Sequence, residues 1–374
     1  MSYVPLHVHS INSPYVGMIT LQELASRASF LGLPAIALTD HWTTYGHFEF
    51  FDLARKAGLK PLLGAELNHS SFVGARGYYH LTAIAESNEG YENLVRLVNA
   101  HFTKEKGQYI TPEELSACSK GLIVLTGCLA GEASQAILHG NLGRERDVVE
   151  KIAELIGSGN LYIEIMNHNL PEERLVFDHL AMLAKRLGVP LVATNNDRYL
   201  RKEESEFYEL LARMGEKNAE GGFDALPAEF YLKREKDIEP FFFAAGDAVQ
   251  RSGEIADRCD VDPFRRGRIV FSTASAPNDT LREMCNRRFL LKFHNLARDE
   301  KRRLRETLKK ELQCAEREEL AGFLLFLDDL LQRTVDRGIW LEIMGGDLLE
   351  SLIAYLLGIV PLNPVEYDLL LETF

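Results

Sequence analysis

Over residues 1–200, short apolar runs alternate with segments of helical period, and this alternation is the strongest constraint on the fold. Six runs are predicted strands: PAIALT (34–39), KPLLGAE (60–66), YYHLTAIA (78–85), GLIVLTG (121–127), NLYIEIM (160–166) and VPLVATN (189–195). Segments such as ERDVVEKIAELIG and PEERLVFDHLAMLAKRLG, which lie between runs, are predicted helices. Strands this apolar, alternating with helices, predict parallel pairing in a sheet covered on both faces.

Two α/β architectures fit this pattern, a barrel and a doubly wound open sheet. The barrel is favoured, because polar residues follow the apolar runs, at the strand ends where barrels carry their functional groups. Beyond about residue 210 a loop-rich stretch is followed by helices with apolar stripes. The predicted domains are a barrel over 1–210, a linker and irregular segment over 211–280, and a mainly helical region over 281–374.

Charge and composition exclude several classes of function. The 374 residues carry a formal net charge of −13, which argues against tight nucleic-acid binding by the whole chain, because phosphate contacts need cations. Residues 281–310 are locally basic, which predicts either a weak, local DNA contact or a solvated helix face. There is no long apolar run, no secretory signal and no disulfide or CxxC pattern among the five cysteines, so a reducing cytoplasm and no membrane contact are expected.

Ionisable residues recur where the apolar runs end. They are His7 and His9 in LHVHS, Asp40 and His41 in ALTDHW, Glu66 in LLGAELN, His80 in GYYHLT and Cys128 in VLTGCLAG. His7 and His9 are two positions apart on an extended segment, so both face the same side and can bind one ion. An isolated H-x-H is more often structural than metal-binding, but imidazole, carboxylate and thiolate groups together suit zinc or a similar metal. Among the other histidines, only His168 in IMNHN has a comparable placement.

These stretches also resemble a known family. LHVHS, LTDHWTTYGHFEF, KPLLGAE, YYHLTAIAESNEGYENLVRLVN and VLTGCLAGE resemble the PHP (polymerase and histidinol phosphatase) domain at the N-terminus of the bacterial DNA polymerase III alpha subunit. The stretch AGFLLFLDDLLQRTVDRGIWLEIMGGDLLESLIAYLLGIVPLNPVEYDLLLETF resembles the start of that subunit's polymerase palm. The resemblance implies a distorted seven-stranded α/β barrel followed by a partial, mainly helical palm segment.

The family's metal site has nine ligand positions for up to three ions, and this chain departs at three of them. The six positions retained are His7, His9, His41, Glu66, His80 and Cys128. An acidic position falls on Val16, and the family's T-N-D-x-H-Y reads TNNDRY, so Asn196 and Arg198 replace an Asp and a His. Asparagine is a poorer ligand, and arginine adds positive charge beside any cation. Asp197 is expected to face the other way.

The consequence of these losses is a smaller metal site. Zinc or another divalent transition metal, one ion only, remains on His41, His80 and Cys128 or on His7, His9 and Glu66, or the site is metal-free. A single ion would tie strand ends together. Hydrolysis of phosphate esters uses clustered ions in this family, and is expected to be absent or residual.

The palm-like segment departs further from the family. The family loop GPGRGSAAGS, which cradles the incoming triphosphate, reads EIMGGDLLES over 342–351, and only Gly346 and Ser351 are kept. Glu342, Asp347 and Glu350 place negative charge where phosphates would lie. The sequence also ends before the palm aspartates of the family arrive, so this chain by itself is not expected to polymerise DNA.

Three functions follow as hypotheses. The first is a truncated, degenerate alpha-subunit relative that serves as a scaffold or accessory part in DNA replication or repair, with partners such as a separately encoded polymerase segment. The alternative is a metal-dependent phosphoesterase or 3′–5′ exonuclease of the PHP type. The third is the front part of an interrupted polymerase gene.

Overall fold

The computed structural model describes residues 2–103, 109–141, 143–215, 228–265, 271, 276–339, 347–367 and 369. It divides into two compact units, Met1–Arg266 and Gly267–Phe374. The predicted changes at Glu342 and Gly346 lie outside the described residues.

The first unit contains six strands and ten α-helices among its described residues. The strands are β1 (Ala35–Leu38), β2 (Lys60–Ser70), β3 (Tyr78–Ala85), β4 (Leu122–Leu125), β5 (Leu161–Ile165) and β6 (Leu191–Ala193). The helices are α1 (Leu21–Phe30), α2 (His47–Lys56), α3 (Asn88–Phe102), α4 (Pro112–Ala117), α5 (Glu132–Leu138), α6 (Arg144–Ile156), α7 (Pro171–Leu187), α8 (Ser205–Gly215), α9 (Glu235–Ile238) and α10 (Ala248–Arg258). All six predicted strands are present, and β1 and β4 are buried along their whole length.

The strands form one sheet in the order β1-β2-β3-β4-β5-β6. The pairs β1·β2, β4·β5 and β5·β6 are parallel, but β3 is antiparallel to both β2 and β4. The prediction of parallel pairing throughout is therefore wrong at β3. The physical reason is the connection: residues 71–77 are too few for the crossover that a parallel neighbour requires.

The extended segment before α1 that contains Pro5, His7 and His9, here called the closing segment, closes this sheet into a barrel. On one side, the Ala37 N–H donates to the Pro5 carbonyl at 2.9 Å. On the other, the His9 N–H donates to the Asp197 carbonyl at 2.8 Å, and the Asp197 N–H donates to the His7 carbonyl at 2.8 Å. The segment thus lies between β1 and the chain that follows β6. The predicted α/β barrel, followed in sequence by a helical region, is confirmed.

The second unit is helical in its described part. Its α-helices are α11 (Pro277–Lys292), α12 (Arg298–Arg317), α13 (Ala321–Asp336) and α14 (Leu352–Leu357). Buried apolar side chains from all four helices form a core of their own, including Phe289, Leu308 and Leu324. Across both units, no described helix is long and apolar enough to span a membrane.

We expect buried His47 to make the stability of the first unit depend on pH. It is fully buried at the start of α2, where its Nε2 lies 3.0 Å from the Gly64 carbonyl, and burial lowers the pKa of His47 to about 4. Because the unfolded chain binds this proton more readily, the free energy of unfolding should rise with pH between about 4 and about 6.5.

A His47→Gln variant lacks this titrating group. The slope of its free energy of unfolding against pH should therefore be smaller by roughly 1.4 kcal/mol per pH unit, which corresponds to about one proton. Urea unfolding of both proteins at several pH values in that range measures the slope. Equal slopes in the two proteins would contradict the prediction.

Candidate metal centre

Five of the six predicted metal ligands converge on the carboxylate of the sixth, Glu66, which lies within β2. The neighbouring ligand atoms are His7 Nε2 at 3.4 Å, His9 Nε2 at 3.6 Å, His41 Nδ1 at 3.6 Å, His80 Nδ1 at 3.0 Å and Cys128 Sγ at 3.6 Å. These residues come from the closing segment, from the ends of β1 and β4, and from β2 and β3. One buried carboxylate is thus shared by four histidines and a thiol.

The reversed direction of β3 explains how His80 joins this cluster. His80 lies near the start of β3, whereas the cluster forms at the end of the barrel to which β1 and β4 deliver their C-termini. Because β3 is antiparallel, its first residues lie at that same end, with His80 opposite Asn68 of β2. The strand that breaks the parallel pattern therefore supplies a candidate ligand.

Hydrogen bonds to the outer ring nitrogens orient His7 and His9. His7 Nδ1 lies 2.8 Å from Glu164 Oε1, and His9 Nδ1 lies 3.2 Å from Ser13 Oγ. Ser13 Oγ in turn donates to Asp40 Oδ1 at 2.7 Å. Both Nδ1 atoms therefore carry protons, and both Nε2 atoms point towards Glu66.

The resulting geometry fits a metal ion. His7 Nε2 and His9 Nε2 are 3.2 Å apart, so two lone pairs would face each other there without a proton or a cation between them. Ligand atoms around a tetrahedral zinc ion with Zn–N bonds of about 2.0–2.1 Å are about 3.3 Å apart. The set His7, His9 and Glu66 is fully buried and matches this spacing.

A second set shares Glu66 and opens onto a cavity. The ligand atoms of His41, Glu66 and His80 lie within 4.8 Å of one another, and Cys128 Sγ is 3.7 Å from His80 Nδ1. His41, His80 and Cys128 are partly exposed. The cluster therefore offers an inner, buried set and an outer, accessible set of donors.

The electrostatics of the cluster favour protons on two of its histidines. Burial acts to lower the pKa of His7, but the carboxylates of Glu164 and Glu66 outweigh it and raise this pKa to about 10. For His80, burial is likewise outweighed by Glu66 and Cys128, and the pKa rises to about 11. Burial lowers the pKa of His41 to about 4. A metal ion must displace the protons on His7 and His80, so metal affinity is expected to rise with pH.

All three positions that depart from the family's ligand pattern line the cavity beside the cluster. This cavity has a volume of about 540 Å³, and Val16, Asn196 and Arg198 contribute to its wall. Asp197 does not, and its Oδ1 instead accepts a hydrogen bond from Asn195 Nδ2 at 2.7 Å inside the barrel. The cavity wall thus carries a neutral amide and a guanidinium where the family pattern has an acid and an imidazole.

His168 also lines the cavity, but its ring nitrogens are already engaged. Nδ1 lies 2.5 Å from Glu173 Oε1, and Nε2 lies 2.6 Å from the Asn195 carbonyl. The ring stacks on Phe230 with the ring centroids 3.9 Å apart. His168 is therefore a structural group of the cavity wall.

Two residues that contact the cluster, Glu164 and Ser13, were not among the site residues predicted from the sequence. Glu164 binds His7, and Ser13 links His9 to Asp40. The signal for Glu164 was present in LYIEI, because an acidic residue inside an apolar strand is seldom buried without a partner. Ser13 carried no such signal, since a serine in a loop is ordinary.

We expect Glu164→Gln to weaken metal binding about 10–100-fold, because outer hydrogen-bond partners set the tautomer and basicity of a ligating histidine. Glu164 Oε1 accepts hydrogen bonds from His7 and from Thr194 Oγ1 at 2.7 Å, so the isosteric amide removes the charge with little change in packing. Competition with a chromophoric chelator measures the affinity. Glu154→Gln on α6, with a side chain that is 68% exposed, is the matched control and should bind like the unaltered chain.

Comparisons with known proteins match both units of the chain. Residues 5–168 match the PHP domain family, and residues 279–374 match the family described as the bacterial DNA polymerase III alpha NTPase domain. The DNA polymerase III subunit alpha of Treponema pallidum (strain Nichols) is 31% identical over 394 residues, which cover 100% of this chain and 33% of that protein.

Relatives from other bacteria give the same result. The DNA polymerase III subunit alpha of Escherichia coli (strain K12) is 28% identical and that of Helicobacter pylori (strain ATCC 700392 / 26695) is 27% identical, each over 100% of this chain. The chain spans about a third of the length of these curated relatives. The chain is therefore homologous, over its whole length, to part of the DNA polymerase III alpha subunit, and its residues 5–168 match the PHP domain family.

Proposed function

We propose that the chain is a scaffold or accessory part in DNA replication or repair, acting in the cytoplasm, whose PHP barrel over 1–210 holds one divalent transition metal such as zinc. The observation that carries the metal site is the pair of Nε2 atoms of His7 and His9, which lie 3.2 Å apart and face the Glu66 carboxylate. The segment 211–280 would link this barrel to the partial palm-like region at 281–374.

The chemistry of the site favours a structural role for the metal. An ion bound by His7, His9 and Glu66 would tie the closing segment to β2 through coordination bonds. Glu164 and Ser13 hold the two imidazoles in place for this. Hydrolysis with clustered ions is disfavoured, because Asn196 and Arg198 stand where further ligands would be needed.

Elemental analysis of the purified chain tests the metal site. About one equivalent of zinc or another transition metal is expected, and it should be lost in His9→Ala. Cys128→Ala separates the two donor sets: it retains the metal if the inner set binds it and loses it if the outer set does. His139→Ala, an exposed histidine after α5, is the control and should keep the metal. Absence of metal from every sample would refute this part of the proposal.

A binding experiment tests the scaffold role. The chain would be mixed with the part of a relative's alpha subunit that it does not span, and the mixture analysed by sedimentation velocity. The matched relatives are about three times as long as this chain. In them the corresponding part and the remainder belong to one polypeptide, so a complex of the two separate chains is expected. Independent sedimentation of both chains at micromolar concentration would count against a scaffold for a separately encoded polymerase segment.

The cavity beside the cluster favours a second candidate function, a PHP-type phosphoesterase or 3′–5′ exonuclease. The outer donors His41, His80 and Cys128 line this cavity of about 540 Å³, so a substrate can reach them. Hydrolysis of a phosphodiester or of a DNA 3′ end, lost in His9→Ala, would establish the activity. No hydrolysis by the metal-loaded chain would leave only the scaffold.

A further inference from the structure

We propose that a second cavity of the first unit binds a small oxyanion, one that carries carboxylate or phosphate groups. This cavity lies between the 71–77 connection, which joins β2 to β3, and the chain from α5 to the start of α6. Its volume is about 290 Å³, and none of the six candidate metal ligands lines it. The inference therefore concerns a site apart from the candidate metal centre and goes beyond the function proposed above.

Two arginines that line this cavity have no anionic partner. Among the described residues, no carboxylate oxygen lies within 4.0 Å of a guanidinium nitrogen of Arg76 or Arg144, and neither guanidinium donates a hydrogen bond. Arg144 Nη2 is moreover shielded from solvent. A buried charged donor without an acceptor is costly, and two like charges beside one cavity repel each other. An oxyanion in the cavity would relieve both penalties.

The carboxylate in the cavity wall does not pair with these arginines. Glu132 is buried at the start of α5, and its two oxygens accept hydrogen bonds from Ser71 Oγ and, at 2.8 Å, from the Phe72 N–H. Burial raises the pKa of Glu132, although these hydrogen bonds and the charge of Arg144 act to lower it. Glu132 thus attracts Arg144 through space, but its oxygens are engaged with the 71–77 connection.

Hydrogen bonds also order the chain that carries Arg76. Ser71 Oγ accepts from the Ala75 N–H at 2.8 Å, and the Tyr79 hydroxyl donates to the Arg76 carbonyl at 3.3 Å. Arg144, on the other wall, is the first residue of α6. Because both arginines are attached to ordered backbone, little chain freedom is lost when a ligand binds.

The size and lining of the cavity favour a compact ligand. A volume of about 290 Å³ is at the lower end of small-molecule sites. His139 and Asn141 add polar groups to the wall, and both are exposed, so a ligand can enter from solvent. Since guanidinium groups bind carboxylate and phosphate oxygens through paired hydrogen bonds, a small acid with two or more charges fits best.

Isothermal titration of succinate and, separately, of inorganic phosphate into the EDTA-treated full chain tests the site, in chloride buffer at pH 7. We expect saturable binding of at least one anion, weakened at least about tenfold in Arg144→Gln and in Arg76→Gln. Binding of only one anion would identify the acid group that the site takes. Arg146→Gln is the matched control, because this arginine of α6 is paired with Asp147, and it should bind like the unaltered chain.

Nuclear magnetic resonance locates the bound anion. The ring signals of His139 should shift as the anion saturates the chain, because this side chain lines the proposed site. The signals of His41, which lines the cavity beside the metal cluster, should not shift. Shifts at His41 without shifts at His139 would place the anion in the other cavity and overturn the proposal.

The remaining outcomes are equally decisive. Absence of binding by both anions, or unchanged affinity in both arginine variants, would also overturn the proposal. If Arg144→Gln does not fold, as judged by circular dichroism, Arg76→Gln decides alone, since Arg76 is exposed. Metal content is measured on the same preparations before EDTA treatment. A metal-free chain that binds the anion would refute the metal site and leave this inference intact, and a metal-containing chain that binds neither anion would do the reverse.

Discussion

Replacing Glu66 with glutamine should abolish metal binding and shift the titration of its histidine neighbours. Glu66 lies 3.0–3.6 Å from ligand atoms of four histidines and belongs to both candidate ligand sets. The amide keeps the shape of the side chain but removes its negative charge. We expect a loss of metal affinity of more than about 100-fold, beyond the 10–100-fold typical of an outer hydrogen-bond partner.

The same variant has an effect that does not require a metal. The pKa of His80 is raised to about 11, although burial opposes this, because Glu66 and Cys128 favour the imidazolium. This interaction stabilises the metal-free fold fully below about pH 6.5, and the contribution is lost as pH rises towards 11. In Glu66→Gln the pKa of His80 should fall by several units.

Nuclear magnetic resonance titration of the histidines in chelator-treated protein measures this fall. His47 serves as an internal control, because burial and the Gly64 carbonyl set its pKa of about 4 and Glu66 does not, so this pKa should be the same in both proteins. An unchanged pKa of His80 together with unchanged metal content would show that Glu66 is not the centre of the cluster.

Gly127→Ala should destabilise the first unit by about 3–5 kcal/mol, since two penalties act at once. Gly127 has φ of +92°, and a Cβ there would lie 2.3 Å from the backbone carbonyl oxygen of His80. Neither the backbone angle nor the carbonyl can adjust without moving the ends of β3 and β4. Cys128 is the next residue, but an ion held by the inner set of His7, His9 and Glu66 does not need it, so metal content should stay the same.

Gly140→Ala separates the two penalties. Its φ of +69° imposes a similar backbone strain, but a Cβ there would meet no atom within 4 Å. In this control the free energy of unfolding should fall by only about 1–2 kcal/mol, and the protein should keep its metal. Urea unfolding gives both free energies, and equal losses would contradict the argument from steric contact with His80.

Much of the barrel could be predicted from sequence, because the apolar runs of its strands are short and clearly bounded. The six candidate ligands were found because each ends an apolar run or lies close to one. The direction of β3 was predicted wrongly, because apolar runs that alternate with helices favour parallel pairing in general and do not reveal a single reversed strand. The length of the 71–77 connection carried that information.

The surroundings of Arg198 could not be predicted in the same way. The resemblance identified Arg198 as a substituted ligand position, but it gave no contact for the guanidinium. Tyr208, whose hydroxyl accepts a hydrogen bond from this guanidinium, lies on α8, and Phe230, whose ring centroid is 4.9 Å from Arg198 Cζ, follows a stretch of chain without strong periodicity. Contacts between elements that are distant in sequence depend on tertiary packing, which local sequence patterns do not encode.

Closure of the barrel by the segment that carries His7 and His9 has a consequence for synthesis of the chain. That segment is made before the rest of the barrel, and its partner Asp197 is made roughly 190 residues later. At about 5–20 residues per second, the two histidines wait about 10–40 s without their final neighbours. During that interval the hydrogen bonds to Asp197 cannot form, so the segment can pair only with strands already made, such as β1, and the barrel stays open on its other side.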